Sequence, residues 1–152
     1  MQLIDDLLEE DELACVLRGH IHIENRLDQY LSKTATNKQF IEKANLQFSQ
    51  KVSLAIAYGL SEWLSSPLSY IGNLRNGFAH NLDKKLGKQE IENFYKAFPG
   101  KEKDLIQKTV SKSNKKFQLA DLPFKEMPLI DQFRLCAMSL EAAIRVDAQK
   151  VR

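Results

Sequence analysis

S-P-L-S-Y-I-G-N-L-R-N-G-F-A-H-N, residues Ser66 to Asn81, reads as one helix with a marked end. Ser66-Pro67 is a start signal, because serine can accept from the free amides of a first turn and proline at the first helical position forfeits no needed hydrogen bond. At about 100° per residue, Leu68, Ile71, Leu74, Phe78, Ala79 and Leu82 share one apolar arc. Arg75 falls inside that arc, while Ser69, Asn73, Asn76 and His80 gather on a polar one. The expectation is a partly buried Arg75 beside a solvent-facing His80.

The rest of the chain repeats this period. Leu13, Val16, Leu17, Ile23, Leu27, Tyr30 and Leu31 define a long first helix from about Glu9. His20 and Glu24 interrupt its stripe. Either the stripe is narrow there and both reach water, or Glu24 is buried with a cationic partner, for which Arg75 is the natural choice. Thr36-Asn37-Lys38-Gln39 has the form of a capping box ahead of a short helix. Ser49 is placed to cap another helix, carrying Val52, Ala55 and Ile56 and stopping near Gly59. Trp63 and Leu64 are expected in or over the core.

Beyond Asn81 a helix is expected from about Lys88 to Phe98, with Ile91, Phe94, Tyr95 and Phe98 apolar and Pro99-Gly100 ending it. Another runs from Lys101 to about Val110. Six lysines between Lys101 and Lys116 face only Glu102 and Asp104. That segment reads as a solvated surface, with nucleic-acid contact through Lys112, Lys115 and Lys116 as the alternative. The last helix, from about Pro128 to Lys150, has one apolar line through Ile130, Phe133, Ala137, Leu140 and Ile144. Leu135, Met138 and Ala142 form a second. Two apolar lines require neighbours on both sides or a second subunit, which makes a homodimer an expectation.

Alternating strand patterns are almost absent, so the chain is expected to be all-α: one domain over residues 1–152, a bundle of about five to seven helices. A net charge of +2 argues against a surface that attracts nucleic acid everywhere and leaves room only for a local basic patch. Cys15 and Cys136 lie in apolar helical patterns and read as buried thiols of a reducing compartment. The acidic Met1–Glu12 segment lacks the features of a secretory signal, and no apolar run spans a bilayer, so a cytoplasmic protein without membrane contact is expected. His20 and His22 diverge by about 200° on a helix and cannot chelate a metal together. Gly72 and Gly77 are isolated, so there is no phosphate-cradling loop, and no nucleophile motif or basic recognition helix stands out. Neither metal nor cofactor is expected.

An arginine supplies a rigid donor fork for phosphate, and a histidine can move protons near neutral pH. Arg75 and His80 at one helix end therefore suggest phosphodiester chemistry, with Asn76 orienting the phosphate or the imidazole. The two directions differ by about 140° on an ideal helix, so the helix must unwind at Gly77, the arginine stem must reach round, or a second chain must contribute. The competing structural reading has Arg75 held by Glu24 and His80 capping the helix end.

R-N-G-F-A-H, residues 75–80, behind a long first helix with Glu24 in its stripe, resembles the HEPN superfamily of small helical domains. The likeness spans about Arg18 to Asn81. It implies a metal-independent endoribonuclease, or a toxin component restrained by an antitoxin-like protein, acting as a dimer that brings two motifs to one cleft. It implies His80, Arg75 and Asn76 as catalytic residues, with Glu24, Asn73 and His20 in support. Phe48-Ser49-Gln50-Lys51-Val52 through Ala57-Tyr58-Gly59-Leu60 is similar to the mannitol operon repressor family, which implies instead a non-enzymatic transcriptional regulator working through protein contacts.

Overall fold

The computed structural model describes residues 11–81, 83–106 and 123–151. The acidic segment before Asp11, Leu82, the 107–110 end of the expected sixth helix and Lys112, Lys115 and Lys116 lie outside the described residues. All regular structure among those described is helical, as expected. In order these are α1 (Glu12–Thr34), α2 (Gln39–Lys43), α3 (Phe48–Ala57), a 3-10 turn (Glu62–Leu64), α4 (Ser65–His80), α5 (Lys88–Lys96), α6 (100–106), a second 3-10 turn (Phe124–Glu126) and α7 (Leu129–Gln149).

α1 is the element the others pack around. Asp11 caps it, its carboxylate accepting from the Ala14 amide at 2.8 Å, which satisfies one of the free donors of a first turn. Its stripe of Cys15, Val16, Ile23, Leu27, Tyr30 and Leu31 is buried against α7, α4 and α3. Arg26 meets Glu141, and Lys33 meets the Ala148 carbonyl, both across 115 residues, so α1 and α7 run parallel and in register. His20 touches Phe48, Lys51 reaches Glu24 and Asp28, and the Tyr30 hydroxyl donates to the Tyr58 carbonyl. α3 therefore runs parallel to α1, and α4 returns antiparallel to both.

Gly59 makes that return possible. α3 stops at Ala57, and Gly59 takes a φ of +116°, a region side chains disfavour, as the Leu60 amide closes back on the Ala55 carbonyl. The chain then enters a 3-10 turn that leads straight into α4. Ser66 does not cap α4, because Leu64 and Ser65 are already helical. Pro67 is the third residue of the helix, where its missing amide still belongs to the unbonded first four. The capping box expected at Thr36 is not formed: Lys38 precedes α2 in helical conformation with no side-chain cap. Nor does Ser49 cap α3. It is the second residue inside the helix, and the cap residue is Gln47, whose amide donates to Gln50 Oε1 at 2.8 Å.

α5 packs antiparallel to α4, with Tyr70 stacked on Phe94 and Trp63 against Phe98. Phe94 also meets Phe133, which brings α5 to α7. Both apolar lines of α7 are thus covered within the chain: Phe133, Leu135, Ala137, Leu140 and Ile144 are buried, with Met138 and Ala142 half-buried. Its two-sided apolarity is explained by α1 and α5 and no longer argues for a second subunit. Cys15 and Cys136 are buried and not joined in a disulfide, and burial pushes the Cys136 thiol far up, which keeps it protonated. No helix among the described residues is long and apolar enough to cross a membrane.

Candidate functional site

Arg75 does not occupy the core. Leu68, Ile71, Leu74 and Phe78 are buried as their arc requires, but Arg75 and Ala79 are exposed. The cause is where α3 begins. Its first residue is Phe48, whose ring lies over Gly72, so the last two turns of the antiparallel α4 run past the start of α3.

Glu24 is not the partner of Arg75 either. It is half-buried and faces the Lys51 ammonium at 3.5 Å, which also pairs with Asp28 at 2.9 Å. Burial works against the charge on Lys51, but Asp28 and Glu24 outweigh it and hold the ammonium above its ordinary range. Among the described residues the only hydrogen bond made by the Arg75 side chain is from Nη1 to Asn76 Oδ1, at 3.2 Å. No described carboxylate neutralises it.

His20 lies between these charges. It is 5% exposed, with its ring 4.3 Å from that of Phe48. Burial lowers its proton affinity; Glu24 opposes this, while Arg75 and Lys51 add to it, so the imidazole is held below its ordinary pKa. His20, Glu24, Lys51 and Arg75 therefore share one neighbourhood, although Arg75 takes no part in its ion pairs. Of the two readings for the polar interruption of α1, burial holds for His20 and partial exposure for Glu24.

The motif helix stays regular to its end. α4 continues unbroken through Gly77 to His80, and Asn81 leaves in extended conformation. Gly77 serves a neighbour: a Cβ there would stand 3.1 Å from Cε of Lys84, whose stem crosses the helix to reach Glu90 at 2.9 Å and whose ammonium lies 5.7 Å from the Phe78 ring centre. Glu12, accepting from the Leu86 amide at 2.8 Å, anchors the same connection to α1. Asn73, Asn76 and His80 are all exposed along one stripe. The His80 ring makes no hydrogen bond to a described residue, and the capping role is not realised there.

The 140° between Arg75 and His80 is reduced by the arginine stem. Asn76 is only about 40° from His80 on the helix, and the bond from Arg75 to Asn76 draws the guanidinium toward that side. The site thus combines a guanidinium that no described carboxylate neutralises, an amide that orients it and a solvent-facing imidazole, all on an open helix surface.

Lys51, Phe48 and Gly72 belong to this neighbourhood, and none of them is an expected site residue. One signal for Lys51 was present: Glu24 and Asp28, four apart on one helix, call for a cation opposite, and Lys51 is the only one in α3. No group of three or more His, Cys, Asp or Glu is placed to hold a metal among the described residues. No protein-family model, curated protein or solved structure matches the chain.

Proposed function

We infer that the chain engages RNA through the Arg75, Asn76 and His80 face of α4 and cleaves it without metal. The observation that carries this reading is the state of Arg75: exposed, tethered among the described residues only to a neutral amide, with the nearby Glu24 already committed to Lys51. An arginine held this way has most of its donor fork available for a phosphate, which a core ion pair would have consumed. Asn73 and Asn76 offer further polar contacts on the same stripe.

In this reading His80 removes the proton of a ribose 2′-hydroxyl. That oxygen attacks the adjacent phosphorus as the bond to the 5′-oxygen breaks, and the departing oxygen takes a proton from the imidazolium or from water. The products are a 2′,3′-cyclic phosphate and a 5′-hydroxyl end. Arg75 holds the phosphate and offsets the charge that develops on its oxygens, and Asn76 aims the guanidinium. His20 and Glu24 act indirectly, setting the field and packing behind α4. A homodimer would place two such faces across one cleft, and an antitoxin-like protein would cover them.

The openness of the α4 face favours a second reading, in which the same surface binds a partner without turnover, as in a regulator similar to the mannitol operon repressors. Single-stranded and structured RNA incubated with the protein in excess chelator, beside His80→Ala and Arg75→Ala, tests the proposal. Cleavage by the wild-type protein alone, leaving cyclic phosphate ends, is the expected result. Equal background cleavage by all three would reject turnover, and capture of operator DNA or a protein partner by this face would then favour the regulator.

A further inference from the structure

A second cationic site lies on another side of α1, facing α7. Arg26, Gln29 and Lys33 form a stripe on α1, with Arg26 and Lys33 separated by seven residues and so within about 20° of one another. Arg145, Ala148 and Gln149 oppose them on the parallel α7. Between the two stripes is a groove of about 310 Å³ lined by these six residues. Arg26 points about 200° away from Glu24 on the helix, so this groove is separate from the α4 face.

Its charges do not balance. Three cations line it, and among the described residues the acid that reaches them is Glu141, whose Oε1 is 2.6 Å from Arg26 Nε and 3.6 Å from Arg145 Nε. The other acids nearby are engaged elsewhere: Asp28 with Lys51, and Asp147 with the Ser61 amide at 2.8 Å. Glu141 approaches both guanidiniums at Nε and so leaves their terminal nitrogens to the groove, apart from one bond from Arg26 Nη1 to Gln29. Lys33 uses one of its three donors on the Ala148 carbonyl, at 2.6 Å. The groove therefore holds a surplus of oriented donors and little to accept from them.

We propose that the α1–α7 groove binds a phosphomonoester, with Arg26 and Arg145 forking its oxygens and Lys33 adding a third charge. An oxyanion supplies acceptors only, which is what this donor set lacks, and the planar guanidiniums suit a phosphate group. The volume exceeds that of a bare phosphate and lies at the lower end of small-ligand sites, leaving room for an organic substituent. The same chemistry is offered by a free mononucleotide and by the 5′-phosphate of an RNA.

The test is an NMR titration of the full chain, following the side-chain Nε–H signals of Arg26 and Arg145 and the amides of Gln29 and Gln149. Inorganic phosphate, AMP and a short oligoribonucleotide with or without a 5′-phosphate are added, each against sodium chloride at equal ionic strength. Saturable shifts with phosphate and AMP are expected. Arg145→Ala and Lys33→Ala, whose melting temperatures are checked in parallel, should each weaken binding by about tenfold. Tighter binding of AMP would identify a small molecule as the ligand, and tighter binding of the 5′-phosphorylated oligomer would identify an RNA end. Shifts reproduced by sodium chloride, or affinities unchanged in both variants, would overturn the proposal.

Discussion

Gly72→Ala is expected to destabilise the protein, although alanine is the better helix former. Its Cβ would stand 3.1 Å from two ring carbons of Phe48, against an ordinary carbon contact of about 3.5–4.0 Å. The ring must give by a few tenths of an ångström, and it already touches His20 at 4.3 Å between ring centres. The helix preference contributes about 0.5–1 kcal/mol in favour of alanine, while overpacking costs about 1–3 kcal/mol. Overpacking is the larger effect, and a net loss of roughly 1 kcal/mol follows. In a Phe48→Ala background the obstacle is gone, and the same substitution should stabilise by up to about 1 kcal/mol. Urea denaturation of the four proteins reads both values, and the sign should reverse between backgrounds. A stabilising Gly72→Ala in the wild type, or equal effects in both backgrounds, would refute the packing of Phe48 between α1 and α4.

Three further outcomes follow from the same neighbourhood and its turn. The folded state holds His20 below its ordinary pKa of 6.5, so above that value neither state carries its proton. As pH falls below it the unfolded chain is protonated first, and stability drops by at most about 1.4 kcal/mol per pH unit until the folded imidazole follows. Wild type should therefore lose more stability than His20→Leu between about pH 7 and pH 5, and equal losses would count against a buried neutral His20. Glu24→Gln should cost less than about 1 kcal/mol, because Lys51 retains Asp28 at 2.9 Å, whereas Lys51→Met should cost more by leaving two carboxylates four residues apart. A collapse of the fold in Glu24→Gln would contradict this pairing. Gly59→Ala should cost about 1 kcal/mol or more from its φ of +116°, with added crowding where the Cβ would sit 3.3 Å from the Tyr30 hydroxyl; an unchanged urea midpoint would rule that out.

Helical period is enough to place the longer helices, though neither of the 3-10 turns. The arc of Leu68, Ile71, Leu74 and Phe78, the two buried cysteines, the stop at Gly59 and the end of α4 at His80 are all legible in the residues. Arg75 is exposed where the period predicts partial burial, because a helical wheel gives the direction of a side chain but not what stands opposite it. α3 begins too late in the chain to cover the last turns of α4, and that depends on where Phe48 docks. The cation that Glu24 meets is hidden for a related reason: the parallel course of α1 and α3, joined through residues 35–47, brings Lys51 to it. The isolated glycines of α4 are recognisable as unusual in a helix, but Phe48 and Lys84, the side chains they make room for, come from outside that helix. The α1–α7 groove was invisible because its two stripes lie at opposite ends of the chain and meet only through parallel packing.

The account rests most heavily on an Arg75 that belongs to function and is dispensable for the fold. The affinity of Arg75→Ala for single-stranded RNA at fixed salt, measured on protein whose melting temperature matches the wild type, tests this most directly. The predicted result is a loss of at least about tenfold, as expected when a charged hydrogen-bond donor to phosphate is removed. Unchanged affinity in a fully folded variant would contradict it.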